Sequence, residues 1–489
     1  MSTARIFLRW ARAFTASDDL LNEIVGNCLF GFLTVLLHAL PLLEYERGRV
    51  EALGMLETAR AVWSAVSKME EFSAVSEEAA TLGWDVQSIS DTLHSYTDVF
   101  DGTPSTGSGC NGLKFYVYSP PAPAEAANSS GPRNGTEADS IAALLRGGPS
   151  GYLHALARSP LQCLFGMYGT ELLYHRLFAS AGCRVADPEA ADFFFVPSYF
   201  KCVEVINYAD HFNAGRAGED EAGLLFEQTL DHVRRAGPWF DRRDGADHVV
   251  LFSWGRFPCR LPGWREAIRS AVALQVEDRC EDLNSEDPQS TFSRWKDIII
   301  PGHIDRWRAL ELRRQNQPTG KRDVLIAFHG RHANNTDSYG NVTVRTRILE
   351  MEGLPGVSVG GFIEDYHELL GMSLFCLAPR GITPWTIHLY VAMLAGCIPV
   401  ILSDDFELPF QDHLDWPSFS IRWPENRTGK ELYSHLLSLP VDVIHQMKQK
   451  VDEHACWFDY YSAASGCSPY EGVLRTLGKR LQQRPGYAG

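Results

Sequence analysis

The sequence lacks an excess of positive charge, any internal repeat and the residue spacings that usually bind metals. Its 45 lysines and arginines are outnumbered by 61 aspartates and glutamates, for a net charge of −16. A general nucleic-acid-binding protein needs a basic surface, so we expect no nucleic-acid partner. The chain contains no Cys-x-x-Cys pair of the kind found in zinc sites and no Asp-x-Asp pair. We therefore expect no obligatory metal and no cofactor.

Long apolar runs are also scarce. Only residues 24–43 could cross a membrane core about 30 Å thick, which excludes a transporter with several spans. Arg5, Arg9 and Arg12 precede this run among several acidic residues, and the slight charge bias favours a cytosolic N-terminus. No small-residue cleavage site follows the run, so an uncleaved signal anchor is the preferred interpretation. The alternative is a buried helix of a soluble domain.

The remaining composition is that of a folded protein. Hydrophobic residues make up 45% of the 489 residues and charged residues 22%, values that exclude wholesale disorder. At about 100–200 residues per domain, this length predicts roughly two to four domains.

Two features favour a compartment of the secretory pathway. Cys28 lies in the apolar run, and the ten other cysteines are an even number compatible with disulfides. Their pairing cannot be read from the sequence, and buried unpaired thiols are the alternative. Asn-x-Ser/Thr sequons predict N-glycosylation, and they occur at Asn128, Asn134, Asn334, Asn341 and Asn426.

Apolar strands alternate with helices in two series. The first has predicted strands at residues 114–118, 191–199, 248–254 and 296–301, with helices at 169–182 and 223–236. After a polar break at 315–321, the second has strands at 323–328, 372–377 and 398–402, with helices at 344–351, 363–371, 386–395 and 442–456. This alternation predicts parallel βαβ units in two α/β halves. Ligands of such sheets bind outside the carboxyl ends of the strands.

The segment 375–416 contains the densest set of polar residues at strand and helix ends. A strand is followed by the loop APRGITPW, and Thr386 is a suitable N-cap for the next helix. A strand, a loop and a helix amino end together predict an anion site, to which Arg380 could add a bidentate phosphate contact. The alternatives are a surface salt bridge for Arg380 and a plain cap for Thr386. Trp385 is better interpreted as a packed aromatic than as a platform on which a base stacks.

Three carboxylates follow the next strand, IPVIL, in the same segment. Asp404, Asp405 and Glu407 come directly after its end, where they would face the same crevice as the anion site. The alternative is a solvated turn, because aspartate favours turns.

This segment resembles the exostosin family of glycosyltransferases. The matching motifs are FCLAP at 375–379, GCIPV at 396–400, SDDFELPF at 403–410 and the pair Asp415-Trp416. The motif TPWT is similar to that of plant members, which build cell-wall polysaccharides. Weaker similarities extend over residues 114–464, among them KFYVYS, ADFFFVPSY, KDIIIPG and DVLIAFHGR.

The resemblance implies a GT-B fold, in which two Rossmann-like domains face a central cleft. It divides the chain into a cytosolic tail and signal anchor (1–45), a helical stem and linker (46–112), an acceptor-side domain (113–318) and a nucleotide-sugar-binding domain (319–475). It implies transfer of a sugar, from a nucleotide sugar of the UDP type, to a polysaccharide or glycoprotein glycan acceptor. The expected location is the Golgi membrane, as a single-pass type II protein with a luminal catalytic domain.

Carried over by position, the resemblance also implies a set of donor-binding residues. These are Gly330, Arg331, Arg345, Arg380, Gly381, Thr386, His388, Asp404, Asp405 and Glu407. The catalytic base stays unassigned, with four candidates in the first half: Asp192, Asp247, His248 and Asp305.

Two positions depart from the family pattern. His388 stands where the family has an arginine that would neutralise diphosphate, and Val391 stands where it has a glutamate suited to the ribose hydroxyls. A neutral histidine offers one donor where a guanidinium offers five. The alternative function is therefore a catalytically inactive partner subunit or glycan-binding module, in a hetero-oligomer with related glycosyltransferases.

Overall fold

A computed structural model describes most of the chain after residue 109. The described ranges are 110–118, 167–180, 182–201, 217–254, 263–280, 289–290, 292–331, 343–381, 383–462 and 466–483. The predicted anchor, residues 46–109 of the predicted stem and linker, and the sequons at Asn128, Asn134, Asn334 and Asn341 lie outside these ranges. No helix within them is long and apolar enough to span a bilayer.

The first lobe is built on a five-stranded sheet. Its strands, all parallel and in the order β1-β2-β3-β4-β7, are β1 (Phe115–Val117), β2 (Phe193–Val196), β3 (His248–Phe252), β4 (Val272–Gln275) and β7 (Ile298–Ile299). Between β4 and β7, β5 (Arg279–Cys280) and β6 (Gln289–Ser290) form an antiparallel pair. The helices of this lobe are α1 (Thr170–Ala179), α2 (Ala217–Ala236), α3 (Trp264–Ala267) and α4 (Arg306–Gln315).

Aromatic side chains fill the core beneath this sheet. Phe115 and Phe193 face each other in register on β1 and β2, and the ring of Phe178 in α1 lies 4.3 Å from that of Phe115. All three are fully buried, which contributes about 1.5–3 kcal/mol each. Burial on both faces explains why β2 reads as the continuous apolar run FFFV rather than as an alternating pattern.

The second lobe contains another five-stranded parallel sheet, in the order β12-β11-β10-β8-β9. Its strands are β8 (Val324–His329), β9 (Val357–Gly360), β10 (Ser373–Pro379), β11 (Ile398–Leu402) and β12 (Ile421–Arg422). The helices are α5 (Thr343–Ile348), α6 (Tyr366–Gly371), α7 (His388–Leu394), α8 (Lys430–Leu437), α9 (Val441–His454) and α10 (Pro469–Gln482).

The prediction of an α/β protein with two parallel sheets is confirmed, and this architecture fits a GT-B-like glycosyltransferase. Three strands of these two sheets are not predicted by the sequence patterns: β4, β9 and β12. The last has two residues, and β9 reads VSVG, so neither presents the run of apolar residues by which a strand is recognised. The predicted helix at 386–395 begins at His388 in the structure.

The carboxyl edges of the two sheets face each other. Gly302 follows β7 and lies against Trp385, which follows β10, because a Cβ atom added to Gly302 would be 2.6 Å from the indole Cζ2. Asp278 follows β4, and its Oδ2 accepts a hydrogen bond at 3.3 Å from the backbone N–H of Glu407, which follows β11. The interpretation of Trp385 as a packed aromatic is therefore confirmed.

The end of the chain crosses back to the first lobe. The hydroxyl of Tyr460 donates to the backbone oxygen of Pro301 at 2.7 Å, and Arg480 of α10 donates to the backbone oxygen of Asp297 at 2.8 Å. The hydroxyl of Tyr174 in α1 donates to the backbone oxygen of Pro469 at 3.1 Å. The last helix therefore fastens the two lobes together.

Three disulfides join described cysteines: Cys110–Cys183, Cys376–Cys397 and Cys456–Cys467. The second links neighbouring strands, because Cys376 lies in β10 and Cys397 directly precedes β11. Each bridge typically stabilises a fold by about 2–4 kcal/mol. For these six cysteines, the prediction of disulfides is confirmed and the alternative of buried unpaired thiols is wrong.

Candidate functional site

The second sheet contains a point where the strand order reverses. The next strand in the chain, β9, pairs with one side of β8, and the strand after that, β10, pairs with its other side. The chain therefore reverses its direction across the sheet beside β8. Ligands of open α/β sheets bind at such a point, outside the carboxyl ends of the strands. Gly330 and Arg331 follow β8 there, and Arg380 and Gly381 follow β10.

Arg345, in α5, ties these two loops together. Its Nε donates to the backbone oxygen of Arg380 and its Nη1 to that of Arg331, both at 3.0 Å. The side chain is 8% exposed and its guanidinium carbon lies 5.7 Å from the ring centroid of Phe328. A planar group with several donors suits this bridging. These bonds make Arg345 a support for the loops, in addition to any contact with a diphosphate.

His388 is the side chain against which the β8 loop packs. A Cβ atom on Gly330 would lie 3.2 Å from the imidazole Nε2, so glycine allows the close approach. On the other side of the ring, the hydroxyl of Tyr366 and Nδ1 of His388 are 3.1 Å apart. Burial, with the nearby charges of Arg345 and Arg308, lowers the pKa of His388 to about 3. The imidazole is therefore neutral and does not replace the positive charge of an arginine.

The turn before α7 is closed by internal hydrogen bonds. The N–H of Arg380 donates to Leu402 and that of Gly381 to the backbone oxygen of Trp385, at 3.0 and 3.1 Å. The hydroxyl of Thr386 accepts from the N–H of His388 at 3.3 Å, and Thr386 is 4% exposed. The sequence predicts free N–H groups at this helix end, but that of His388, the first helical residue, has an acceptor within the protein. The loop N–H groups of Arg380 and Gly381 have acceptors as well. A phosphate bound at this turn would have to compete with those bonds.

The side chain of Arg380 lies beside an acidic pair. Its Nη1 is 4.0 Å from Oε1 of Glu425. The N–H of Asp404 donates to Glu425, and the N–H of Glu425 donates to Asp404, both at 3.1 Å. Burial raises the pKa of Glu425. The alternative prediction for Arg380 is a surface salt bridge. Glu425 is a partner for such a bridge, at the edge of the same crevice.

The other two predicted carboxylates pair with arginines of the first lobe. Arg279 Nη1 lies 3.2 Å from Oδ2 of Asp405. Arg294 contacts Glu407 in a bidentate arrangement, with Nη2 2.7 and 2.9 Å from the two carboxylate oxygens. The structure therefore separates Asp404, Asp405 and Glu407 into three different polar environments. The contacts of Asp405 with Arg279 and of Glu407 with Arg294 connect the two lobes.

Three of the four candidate bases predicted in the first lobe lie away from this edge. Asp192 directly precedes β2, Asp247 directly precedes β3 and His248 begins it, which places all three at the amino edge of the sheet. Asp305 caps α4, with its carboxylate accepting from the N–H of Arg308 at 3.0 Å. Those three are not brought to the end of the strands where a ligand would bind, whereas Asp305 follows β7 on the carboxyl side of the sheet and uses its carboxylate as a helix cap.

Asp247 and His248 belong instead to a buried network. His248 Nδ1 is 2.9 Å from Oδ1 of Asp247, and its Nε2 is 2.9 Å from the hydroxyl of Tyr118. All three residues are buried, and burial lowers the pKa of His248 and raises that of Tyr118. Oδ2 of Asp247 lies 3.4 Å from Nη1 of Arg243. Buried polar networks help to specify a unique core, and we assign this one a structural role.

Asp278 is a candidate that sequence reasoning missed. It follows β4, is 2% exposed and meets the loop after β11 through Glu407. Burial raises its pKa to about 6. In the sequence, Glu277 and Asp278 directly follow the apolar segment AVALQV. This acidic pair indicates a site at a strand end only once AVALQV has been recognised as a strand.

Metal ligands are not grouped in this part of the molecule. Within the described ranges, no group of three or more His, Cys, Asp or Glu side chains is arranged to hold a metal ion.

The chain is similar to plant proteins named for sugar transfer. A "Probable glucuronosyltransferase" of Oryza sativa subsp. japonica is 29% identical over 299 residues, which is 58% of this chain and 67% of the relative. Two Arabidopsis thaliana proteins are each named "Probable glucuronoxylan glucuronosyltransferase". One is 24% identical over 362 residues, which is 69% of this chain and 72% of the relative. The other is 26% identical over 342 residues, with shares of 66% and 73%.

The Exostosin GT47 domain matches residues 109–438. This match begins just before β1 and includes both sheets, the reversal of strand order beside β8 and the motifs of the segment 375–416. The chain therefore belongs to the exostosin GT47 family of glycosyltransferases.

Proposed function

We propose that the protein transfers a sugar from a uridine-diphosphate sugar to a polysaccharide or glycoprotein glycan. One observation carries this proposal. Two loops at the reversal of strand order, each bearing an arginine, are held together by Arg345 at the carboxyl edge of the second sheet. Because the relatives are named glucuronosyltransferases, glucuronate is the first donor sugar to test and glucuronoxylan the first acceptor.

The diphosphate would be held by side chains more than by the helix amino end. Arg331 and Arg380 lie on the two clasped loops, and guanidinium groups bind phosphate oxygens in a bidentate manner. In this arrangement the negative charge of the leaving diphosphate is stabilised by positive groups positioned before the reaction.

Asp278 is the base in this proposal. It deprotonates the acceptor hydroxyl, whose oxygen forms a bond to the anomeric carbon while the bond from that carbon to the diphosphate breaks. A pKa of about 6 leaves the carboxylate charged at neutral pH yet still able to take a proton, which is the condition for efficient general base catalysis. Asp278 lies at the edge of the first lobe and contacts the loop after β11. If the first lobe binds the acceptor and the second the donor, as proposed, this base lies between the two substrates.

We also propose the Golgi lumen as the compartment. Disulfides persist in oxidising compartments, and three are present in the described part of the chain. Asn426 is exposed in a short turn, where an oligosaccharide can attach without disturbing the core. Treatment with an N-glycosidase should lower the mass of the protein made in the secretory pathway, and an Asn426→Gln variant should show one glycan fewer. An unchanged mass in both would contradict the luminal location.

The test of the activity is transfer by the purified full-length protein. Candidate UDP-sugars, with xylan oligosaccharides as acceptors, should give a product whose mass is increased by one sugar residue. An Arg380→Ala variant should lose most of this activity, while Arg347→Ala, in α5 but bonded to the backbone oxygen of Asn426, serves as the matched control. Folded protein that transfers no sugar and binds no UDP would contradict the proposal.

A second candidate function is a catalytically inactive subunit or glycan-binding module. Two observations favour it: His388 is neutral, and Val391 is 1% exposed and packed in the core, so neither replaces the family's polar side chain. Calorimetry distinguishes the two functions. Binding of UDP at micromolar to low millimolar concentration supports the enzyme, whereas binding of xylan oligosaccharides without any binding of UDP supports the module.

A further inference from the structure

Phe362 is exposed at the edge where the donor is expected. It follows β9 after the pair Gly360-Gly361, and 77% of its surface is accessible. Its neighbour Ile363 is 41% exposed. The other large hydrophobic side chains exposed within the described ranges, Trp295, Leu437 and Val441, precede β7 or lie where α8 ends and α9 begins. Phe362 and Ile363 thus form the apolar pair at the carboxyl edge of the second sheet.

The loop that carries Phe362 is joined directly to the loop after β8. The N–H of Gly330 donates to the backbone oxygen of Gly360 at 3.1 Å. The imidazole Nδ1 of His329 donates to the backbone oxygen of Gly361 at 2.7 Å, and its Nε2 lies 3.0 Å from the hydroxyl of Ser358. The bonds to Gly360 and Gly361 fix the loop within two residues of Phe362. Its position relative to the Gly330-Arg331 segment is therefore set by the fold.

The spacing of the strands places this aromatic side chain beside the diphosphate loops. Neighbouring strands lie about 4.8 Å apart, so β9 is one spacing from β8 and about 10 Å from β10. A ligand held by its phosphates between β8 and β10 would extend its nucleoside sideways along this edge. The pair Phe362 and Ile363 supplies apolar surface on the β9 side, whereas Asp404 and Glu425 make the β11 side acidic.

We propose that Phe362 is the platform on which the nucleobase of the donor stacks. This inference rests on the proposed function and adds the base subsite, on the outer side of β9, to the diphosphate loops. A flat aromatic ring stacks on any nucleobase, and pyrimidines are included. The cost of exposing a large aromatic side chain to water is recovered when the base covers it.

The test compares two ligands that differ only by the nucleoside. Full-length protein and a Phe362→Ala variant are titrated by calorimetry with UDP and with inorganic pyrophosphate. Loss of stacking should weaken UDP binding about 5- to 100-fold and leave pyrophosphate binding unchanged. Leu437→Ala, which removes another exposed apolar side chain of the same lobe, is the matched control and should bind both ligands as the parent does.

A Phe362→Trp variant gives a second measurement that does not depend on the alanine variant. It should retain UDP binding, and its indole fluorescence should change on addition of UDP but not of pyrophosphate. Equal affinity of the parent and Phe362→Ala for UDP would overturn the inference alone. An equal loss for both ligands would overturn it too, because that result indicates a disturbed loop. Failure of the parent to bind any nucleoside diphosphate would overturn the proposed function together with it.

A further outcome concerns the acceptor. If Phe362→Ala raised the KM for xylan oligosaccharides while the Kd for UDP stayed the same, the platform would serve the acceptor glycan, and the assignment to the nucleobase would be wrong.

Discussion

Nε of Arg345 lies 3.0 Å from the backbone oxygen of Arg380, on the neighbouring loop. The same guanidinium reaches the backbone oxygen of Arg331, so one buried side chain holds the ends of β8 and β10 at a constant separation. The family resemblance places Arg345 among the diphosphate contacts. The structure adds a positioning role, because two of its donors are already used within the protein.

Replacing Arg345 by lysine tests this positioning role. Lysine keeps the charge but has a single nitrogen and cannot reach both carbonyl groups in the same way. We expect the free energy of unfolding to fall by about 1.5–3 kcal/mol and UDP affinity to fall with it, as measured by denaturant titration and calorimetry. Arg347→Lys, in the same helix, should change neither. A loss of affinity without a loss of stability would indicate that Arg345 acts only through the ligand.

Asp278→Asn is expected to slow transfer strongly while stabilising the protein. The raised pKa of about 6 means that the folded state favours the neutral acid. The stability contributed by this group is thus present below about pH 4 and is lost as the pH rises to about 6. Asparagine, always neutral, should therefore raise the free energy of unfolding at pH 7.5 by up to about 3 kcal/mol and have little effect at pH 4.

The carboxylate of Asp278 should also determine how the activity falls as the pH is lowered. As a base, Asp278 must be charged, so kcat/KM of the parent should fall as the pH drops below about 6. The Asp278→Asn substitution should lower kcat about 100- to 10,000-fold, whereas Asp192→Asn, at the amino edge of the sheet, should keep the parent profile. An unchanged acid limb in Asp278→Asn would assign the base to another residue.

Gly330→Ala is expected to disturb the β8 loop through His388. The added Cβ would lie 3.2 Å from the imidazole Nε2, so either the ring or the loop must move by a few tenths of an ångström. We expect a destabilisation of about 1–3 kcal/mol and weaker UDP binding. A Gly330→Ala, His388→Ala double variant should be less destabilised than the sum of the single variants, because the clash is then removed. Simple additivity would show that the two residues do not interact.

The bridge between Cys376 and Cys397 should contribute to the stability of the second lobe. It closes a loop with a sequence separation of 21 residues, for which chain entropy predicts about 3 kcal/mol. A Cys376→Ser, Cys397→Ser variant should unfold at correspondingly lower denaturant concentration. Because the bridge lies in the core of the sheet rather than in the loops after β8 and β10, UDP affinity at a temperature where the variant is folded should be close to that of the parent.

Local pattern predicts much of the second sheet. The strand IPVIL has the bounds that its sequence predicts, and β8 and β10 agree with their predicted bounds to within a few residues, since a buried parallel strand is recognisable as a short apolar run between polar ends. Helix α7 begins two residues later than predicted, and its N-cap is Ile387 rather than the predicted Thr386. The hydroxyl of Thr386 accepts instead from the N–H of His388, two residues on, within the turn that precedes the helix.

The grouping of residues at the site is harder to predict. Asp404, Asp405 and Glu407 are neighbours in the chain but have three different partners, from 21 to 126 residues away. Three of the base candidates lie at the amino edge for a related reason: they precede or begin their strands. Only the direction of a strand decides whether its first or its last residue faces the ligand.

The sequence by itself determined the fold class and the family of this protein, because alternating apolar segments and the motifs of residues 375–416 are properties of neighbouring residues. The tertiary structure alone decided the order of the strands, and with it the reversal beside β8, the joining of two loops by Arg345 and the meeting of Asp278 with the loop after β11. Those relationships depend on which strands pair, and strand pairing is set by burial of the whole core rather than by any local segment.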